Sequence, residues 1–332
     1  MALRLIEMVL PEKDGADVRE LLKKRKVLEH RQLRLSEGEV LVRILLDAEH
    51  SEGVLDLLDE RYAGEKGNRV LVLPVEATLP RAEPQPTAAT GQASEQENPP
   101  ARIGREELYE DIKDAAQCTA VYLTMVVLST VVAAVGLYYD SVAIIIGAMV
   151  IAPLLGPNMA LSLGTTLGDL SLLWRALKTA VAGIATTMVL SVIIGMLVEV
   201  NPESPEVASR NAVAPGDLAV ALASGCAGAL AFTTGGSATL IGVMVAVALL
   251  PPLVTFGLLF GGGHPALAMG ALSLFLMNLI CVNLAGVTTF LAQGIRPATW
   301  WEKERAVRAT GIALGLWAAL LGALVGMILL LR

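Results

Sequence analysis

The sequence predicts a polytopic α-helical membrane protein of about seven transmembrane helices with a 3+3 inverted repeat of proline-broken helices. A small N-terminal α+β domain of ferredoxin-like βαββαβ order precedes them in the cytosol. Three observations predict this. The 332 residues are 54% hydrophobic and 17% charged, and their mean hydropathy is +0.61, outside the range of soluble globular domains. The charges are segregated: of the 57 Asp, Glu, Lys and Arg, 41 fall in residues 1–117, and Leu218 to Ile295 is a run of 78 residues without any. Finally, a segment around residue 150 recurs 95 residues later. The expected domains are 1–80 (soluble), 81–103 (flexible linker) and 104–332 (a lead-in helix followed by the spans).

The soluble part alternates apolar runs with amphipathic ones. Leu3 to Leu10, Val27 to Leu33, Glu39 to Asp47 and Arg69 to Val75 read as strands, and Asp14 to Lys24 and Ser51 to Arg61 as helices. Ser51 is expected to cap the second helix, and Ser36-Glu37-Gly38 to turn the hairpin between strands two and three. No phosphate loop or nucleophile motif accompanies them, and His30 and His50 stand alone, so the domain reads as an assembly scaffold or a ligand sensor. The net charge of −7 arises here, from 24 acidic and 17 basic residues. No basic stripe suggests nucleic acid. Residues 78–101 are rich in Pro, Ala, Thr, Gln and Glu without an apolar period, the composition of a flexible linker. Arg105 to Cys118 then places Leu108, Ile112 and Ala115 on one face, a lead-in helix expected to lie near the membrane surface.

Spans are expected at 118–138, 141–167, 177–198, 217–232, 237–260, 266–293 and 308–331, the fourth short enough to be re-entrant. Arg175, Lys178, Arg296, Lys303, Arg305 and Arg308 follow spans two and six, whereas only Arg210 follows spans one, three and five. Basic loops face the cytosol, which places the N-terminal domain there and the C-terminus outside. Trp174, Trp300 and Trp301 suit cytosolic interfacial anchors, and Tyr138 and Tyr139 external ones. The N-terminus runs into charge after ten residues and has no signal-peptide core.

Ile146 to Pro157 (IGAMVIAPLLGP) matches Ile241 to Pro252 (IGVMVAVALLPP) at seven of twelve positions. Three spans per unit invert the second unit relative to the first. Pro153, Gly156 and Pro157 interrupt one repeated helix and Pro251 and Pro252 the other; proline removes a donor and clashes one turn back, so both helices are expected to break. The substrate or pore candidates are therefore Pro153, Gly156, Pro157, Asn158, Pro251, Pro252 and Asn278, with unwound carbonyls over 152–158 and 250–253 lining the site. Packing kinks are the alternative. Asn158 and Asn278 divide between site and interhelical glue, Asn283 reads as glue, and Thr165, Thr166, Thr233, Thr234 and Ser237 cluster near span ends. Asp140, Asp169 and Asp217 flank spans as caps, and no charge sits at mid-span, which argues against a proton-driven pump. Gly164 with Gly168, and Gly311, Gly315, Gly322 and Gly326 of the last span, suit close helix contacts, the last span packing between protomers or on its own bundle. Cys118, Cys226 and Cys281 lie apart in apolar stretches, so no metal, disulfide or cofactor is expected.

Asp140 to Asp169, Gly228 to Leu253 and Phe275 to Pro297 resemble the prokaryotic uncharacterised hydrophobic domain family, domain of unknown function 389, over most of residues 105–300. Ala152 stands where that pattern is expected to carry Ser, which removes a hydroxyl from the site. The resemblance implies topology and a prokaryotic inner-membrane setting, and assigns no biochemistry. The expected function is a transporter or channel-like permeation protein for an unidentified small solute, tuned by its cytosolic domain, with the lipid bilayer and further copies of itself as partners. A membrane-anchored sensor or scaffold is the alternative. An enzyme is not expected, since no HExxH or GxSxG pattern or acid-paired His or Cys is present.

Overall fold

The computed structural model describes residues 3–23, 25–35, 38–62, 69–75, 103–211, 213–234 and 238–295, with 311, 315, 319, 322 and 326 of the last expected span. The chain divides into two compact units, Met1–Leu108 and Tyr109–Arg332. The linker expected over 81–103 lies outside the described residues but for Ile103.

In the first unit, β1 (Leu3–Pro11), α1 (Glu12–Leu22), β2 (Glu29–Arg34), β3 (Glu39–Asp47), α2 (Ala48–Tyr62) and β4 (Val70–Val75) form a four-stranded antiparallel sheet in the order β2-β3-β1-β4. Period-two alternation sends Ile6, Met8, Leu10, Val40, Val42, Ile44 and Leu46 to one face. Val18, Leu22, Val54, Leu58 and Tyr62 of the helices complete that core. Gly38, at φ 77°, supplies the left-handed residue of the β2–β3 hairpin, which Leu35 closes by donating its N–H to the Glu39 carbonyl at 2.8 Å. Ser51 is not the cap: α2 starts three residues earlier, and Ser51 Oγ donates to the Ala48 carbonyl at 2.7 Å within its first turn.

The unit ends inside α3 (Arg105–Ala115) because the helix start is held there by side chains. Arg4 forks onto both Glu107 oxygens at 2.8 and 2.7 Å, and Arg105 reaches Asp56 at 3.0 Å. Of the face expected on α3, Leu108 and Ile112 are fully buried, as is the following Ala116, whereas Ala115 is exposed.

The second unit is helical. α4 (Ala120–Tyr138), α5 (Val142–Ile151), α6 (Leu155–Leu167) and α7 (Leu170–Leu197) are followed by a single turn, α8 (Pro205–Ala208), then α9 (Pro215–Thr234), α10 (Ala238–Gly261) and α11 (Pro265–Ala292). Among the described residues four helices are long and apolar enough to cross a membrane, five when the bent α5–α6 pair counts as one. Helix α9 is one of the four and is not cut short as expected for span four. Helix α7 starts at Leu170, seven residues before the expected span, because Asp169 Oδ1 caps it by accepting from the N–H groups of Ser171 (2.8 Å) and Leu172 (3.2 Å). Gly168 ends α6 at φ 70°, its N–H on the Gly164 carbonyl, so it serves as a helix stop, while Gly164 gives the expected close contact by admitting Leu173 of α7.

Packing follows the small residues. α7 lies along α10, where Ser191, Val192 and the chain at Leu258 leave no room for a Cβ on Gly257, Gly261 and Gly195 respectively. α9 lies along α11, with Gly225 against the Val282 carbonyl, and α6 meets α11 where Gly286 faces Ser162. α4 packs on α5 and α7, with Thr130 Oγ1 3.2 Å from Thr187 Oγ1.

Candidate functional site

The two proline segments behave differently. At the first, the residue before proline is pushed out of the helical region, and Ala152, at φ −69° and ψ 119°, ends α5. After Ala152, Pro153 and Leu154 the chain re-enters a helix, bent by 54°. The break is narrower than expected: Gly156, Pro157 and Asn158 are not unwound but form the first turn of α6. There the missing N–H of Pro157 has no intrahelical partner to lose. Gly156 is required at its position because the Ala115 carbonyl, at the end of α3, occupies the space of a Cβ.

At the second segment no break occurs. α10 runs from Ala238 to Gly261 through Pro251 and Pro252, which overturns the expectation of matched broken helices. The physical reason lies on α11. Pro252 cannot donate to the Ala248 carbonyl one turn back, and Asn278 Nδ2 donates to it instead, at 2.7 Å. A neighbouring helix thus restores a bond that the proline removes, the condition under which a proline is tolerated inside an apolar bundle.

The asparagines bond between helices. Asn158 is joined to Asn283, the residue read as glue: Asn283 Nδ2 donates to Asn158 Oδ1 at 2.9 Å and to the Leu279 carbonyl at 2.8 Å. Ser162, one turn after Asn158, donates toward the Asn158 carbonyl (3.1 Å) and the Asn283 carbonyl (3.2 Å), and Asn158 Nδ2 bonds the Leu154 carbonyl at the edge of the break at 2.7 Å. All three side chains are buried, with Ser162 and Asn283 at 0% exposure. Sequence reasoning missed Ser162, although its i+4 spacing from Asn158 was visible. Asn278 stands apart on α11, and its Oδ1 has no partner among the described residues; the same is true of Thr255 Oγ1 on α10. Thr165, Thr166 and Thr233 are buried, Thr234 is exposed, and Ser237 lies outside the described residues.

Around the site, Tyr109 OH donates to Asp169 Oδ2 at 2.7 Å and Thr179 Oγ1 donates to the Ala116 carbonyl at 2.8 Å, which fastens the end of α3 to the start of α7. Burial and then the bond to Asp169 push the Tyr109 phenol up to about 12. For Asp169, burial alone acts upward, and the bonds from Tyr109, Ser171 and the Leu172 N–H together outweigh it, holding the carboxyl below its ordinary value. Asp140 and Asp217 accept backbone N–H groups of Glu206 and Ala214, both at 2.8 Å, in the loops.

An uncharacterized protein of Methanocaldococcus jannaschii is 39% identical over 279 residues, covering 84% of this chain and 84% of that protein. No solved structure matches the chain. A family model described as Domain of unknown function (DUF389) matches residues 149–284, the stretch from the bent pair to the asparagine pair. With a relative of that identity and coverage beside the matched model, the chain belongs to the DUF389 family.

Proposed function

We propose that this protein is a multi-pass permeation protein of the prokaryotic inner membrane, a transporter or channel-like protein for a small solute and not an enzyme. Its seven spans would be α4, the α5–α6 pair, α7, α9, α10, α11 and the segment at 308–331. The N-terminal unit is a cytosolic ferredoxin-like domain that tunes them, its strand order β2-β3-β1-β4 being the order that fold requires. Exposed Gly311, Gly315 and Gly322 suit a last span that packs between copies in a homo-oligomer.

Support for an inverted repeat comes from contacts that recur with their roles exchanged. At a shift of 95 residues Ser162 corresponds to Gly257 and Ser191 to Gly286. Ser162 of α6 faces Gly286 of α11, and Ser191 of α7 faces Gly257 of α10. The same shift carries the Thr130–Thr187 pair onto Gly225 and Val282, which also touch. A pseudo-two-fold axis relating the first three spans to the next three would generate all four contacts.

The observation that carries the function is the α5–α6 break itself: the chain leaves helical geometry at Ala152–Leu154 within the charge-free stretch from Ser141 to Gly168, between a helix packed on α10 and one packed on α11. Non-helical backbone at membrane depth is tolerated where it is enclosed by protein or lines a hydrated path, and a membrane anchor has no use for it. Stopped-flow scattering of proteoliposomes against a panel of small neutral solutes and alkali chlorides tests the proposal. Faster equilibration than in protein-free vesicles for at least one solute is expected. Equal rates throughout the panel favour the sensor or scaffold.

A further inference from the structure

The turn of α10 at Pro251 and Pro252 is rich in acceptors and poor in donors. Neither proline can donate to the carbonyls of Val247 and Ala248, and the Asn278 amide supplies one donor, to Ala248. The amide orientation is settled by that bond, because a carbonyl only accepts. Asn278 Oδ1 is therefore turned away from Ala248, in a residue 5% exposed, without a partner among the described residues. Thr255 is fully buried, and its hydroxyl also has none among them. That is exceptional here: Thr130, Thr166, Ser191 and Ser224 each donate to the carbonyl four residues back at 2.7–2.9 Å.

Helical spacing sets the two oxygens on one α10–α11 contact. Ala248 and Thr255 are seven residues apart, about 20° around the helix, so Thr255 lies on the stripe that meets Asn278. Helices α10 and α11 are joined by Gly262–His264 and run antiparallel. Helical side chains lean toward their own N-terminus. Asn278 and Thr255 therefore lean toward each other, into the proline turn.

We infer that this turn binds a small desolvated monovalent cation, an alkali ion or ammonium, through Asn278 Oδ1, Thr255 Oγ1 and the proline-freed carbonyl oxygens. Surplus acceptors call for a cation or an N–H donor, and an anion would find the Thr255 hydroxyl as a donor beside several repelling oxygens. Among the described residues no cluster of His, Cys, Asp or Glu offers a divalent site. Neutral oxygens without a carboxylate suit a single positive charge. The site deepens the permeation proposal by naming a solute or coupling ion, and its test is equilibrium binding, so that failed flux and failed binding are separate results.

The full chain is melted in detergent at constant ionic strength in sodium, potassium, ammonium or choline chloride. A saturable rise on the order of 2–4 °C over choline is expected with at least one small cation. Thr255→Val, which keeps the shape and removes the hydroxyl, should melt near wild type in choline and weaken the cation response tenfold or more, and Asn278→Leu should abolish it. The same melting curve in all four salts, as an ordered water alone would give, overturns the inference. So does a cation response retained in both variants.

Discussion

Asn278 Nδ2 lies 2.7 Å from the Ala248 carbonyl oxygen, the acceptor that Pro252 deprives of its helical donor. A side chain on one helix thus permits a proline pair inside the next, and the two residues should depend on each other energetically. Asn278→Leu is expected to cost about 1–3 kcal/mol, the penalty of a buried polar group left unpaired. Pro252→Ala restores a backbone donor, and in that background the same substitution should cost a fraction of that. A double-mutant cycle on unfolding free energies reads the difference, and additive effects would contradict the assignment.

The bond between Asn158 and Asn283 predicts a second coupling. Each single Leu substitution removes the interhelical partner of the other, buried amide and leaves it only the carbonyl on its own chain segment. The double substitution should then destabilise less than the sum of the singles, by about 0.5–2 kcal/mol. Additivity in melting and denaturant titration would place the two residues in separate environments.

Gly257 and Ser191 test the exchanged contact. Gly257→Ser should lower stability strongly, because Ser191 occupies the space of the new Cβ. Combining it with Ser191→Gly reproduces the Ser162–Gly286 arrangement of the other half and should recover most of the loss. No recovery would argue against equivalence of the halves.

How much of this was legible in the sequence depends on the range of the interactions. Strand β3 was visible to the residue at Glu39–Asp47, because alternation is a local signal. Pro153 likewise ends its helix through a clash with its own neighbour, Ala152. Pro251 and Pro252 look equally disruptive in sequence, yet the residue that accommodates them lies 30 positions away. The Asn158–Asn283 bond spans 125 positions, so composition allowed no more than an even split for Asn158 and Asn278 and a glue reading for Asn283. The burial of α3 was hidden for the same reason: Ile112 sits on an amphipathic face that serves a protein core as well as a membrane surface.

The Tyr109–Asp169 bond predicts a pH response. Asp169 is held below its ordinary value, so its contribution is present above the unfolded carboxylate value and is lost as the pH falls through the folded one. Tyr109 is raised to about 12, so its contribution is present below the ordinary phenol value, about 10, and is lost as the pH rises through about 12. Tyr109→Phe should cost about 1 kcal/mol or less at neutral pH, since both groups are partly exposed. It should also flatten the alkaline limb of the melting-temperature profile. An unchanged alkaline limb would remove Tyr109 from the account.

Orientation is open to single-cysteine labelling in intact cells after replacement of Cys118, Cys226 and Cys281. An impermeant reagent should reach positions 140 and 203 and not 175. Labelling at 175 without 203 would reverse the topology.

The central claim is that the α5–α6 break serves permeation, and Pro153→Ala addresses it most directly. Alanine lets the helix continue through 152–154, so the 54° bend should relax and thermal stability should hold or rise. The measurement is solute flux in proteoliposomes for wild type and Pro153→Ala, beside a melting curve for each. The account predicts a variant that is at least as stable as wild type and has lost most of its flux; a variant with full flux and a straightened helix would contradict it.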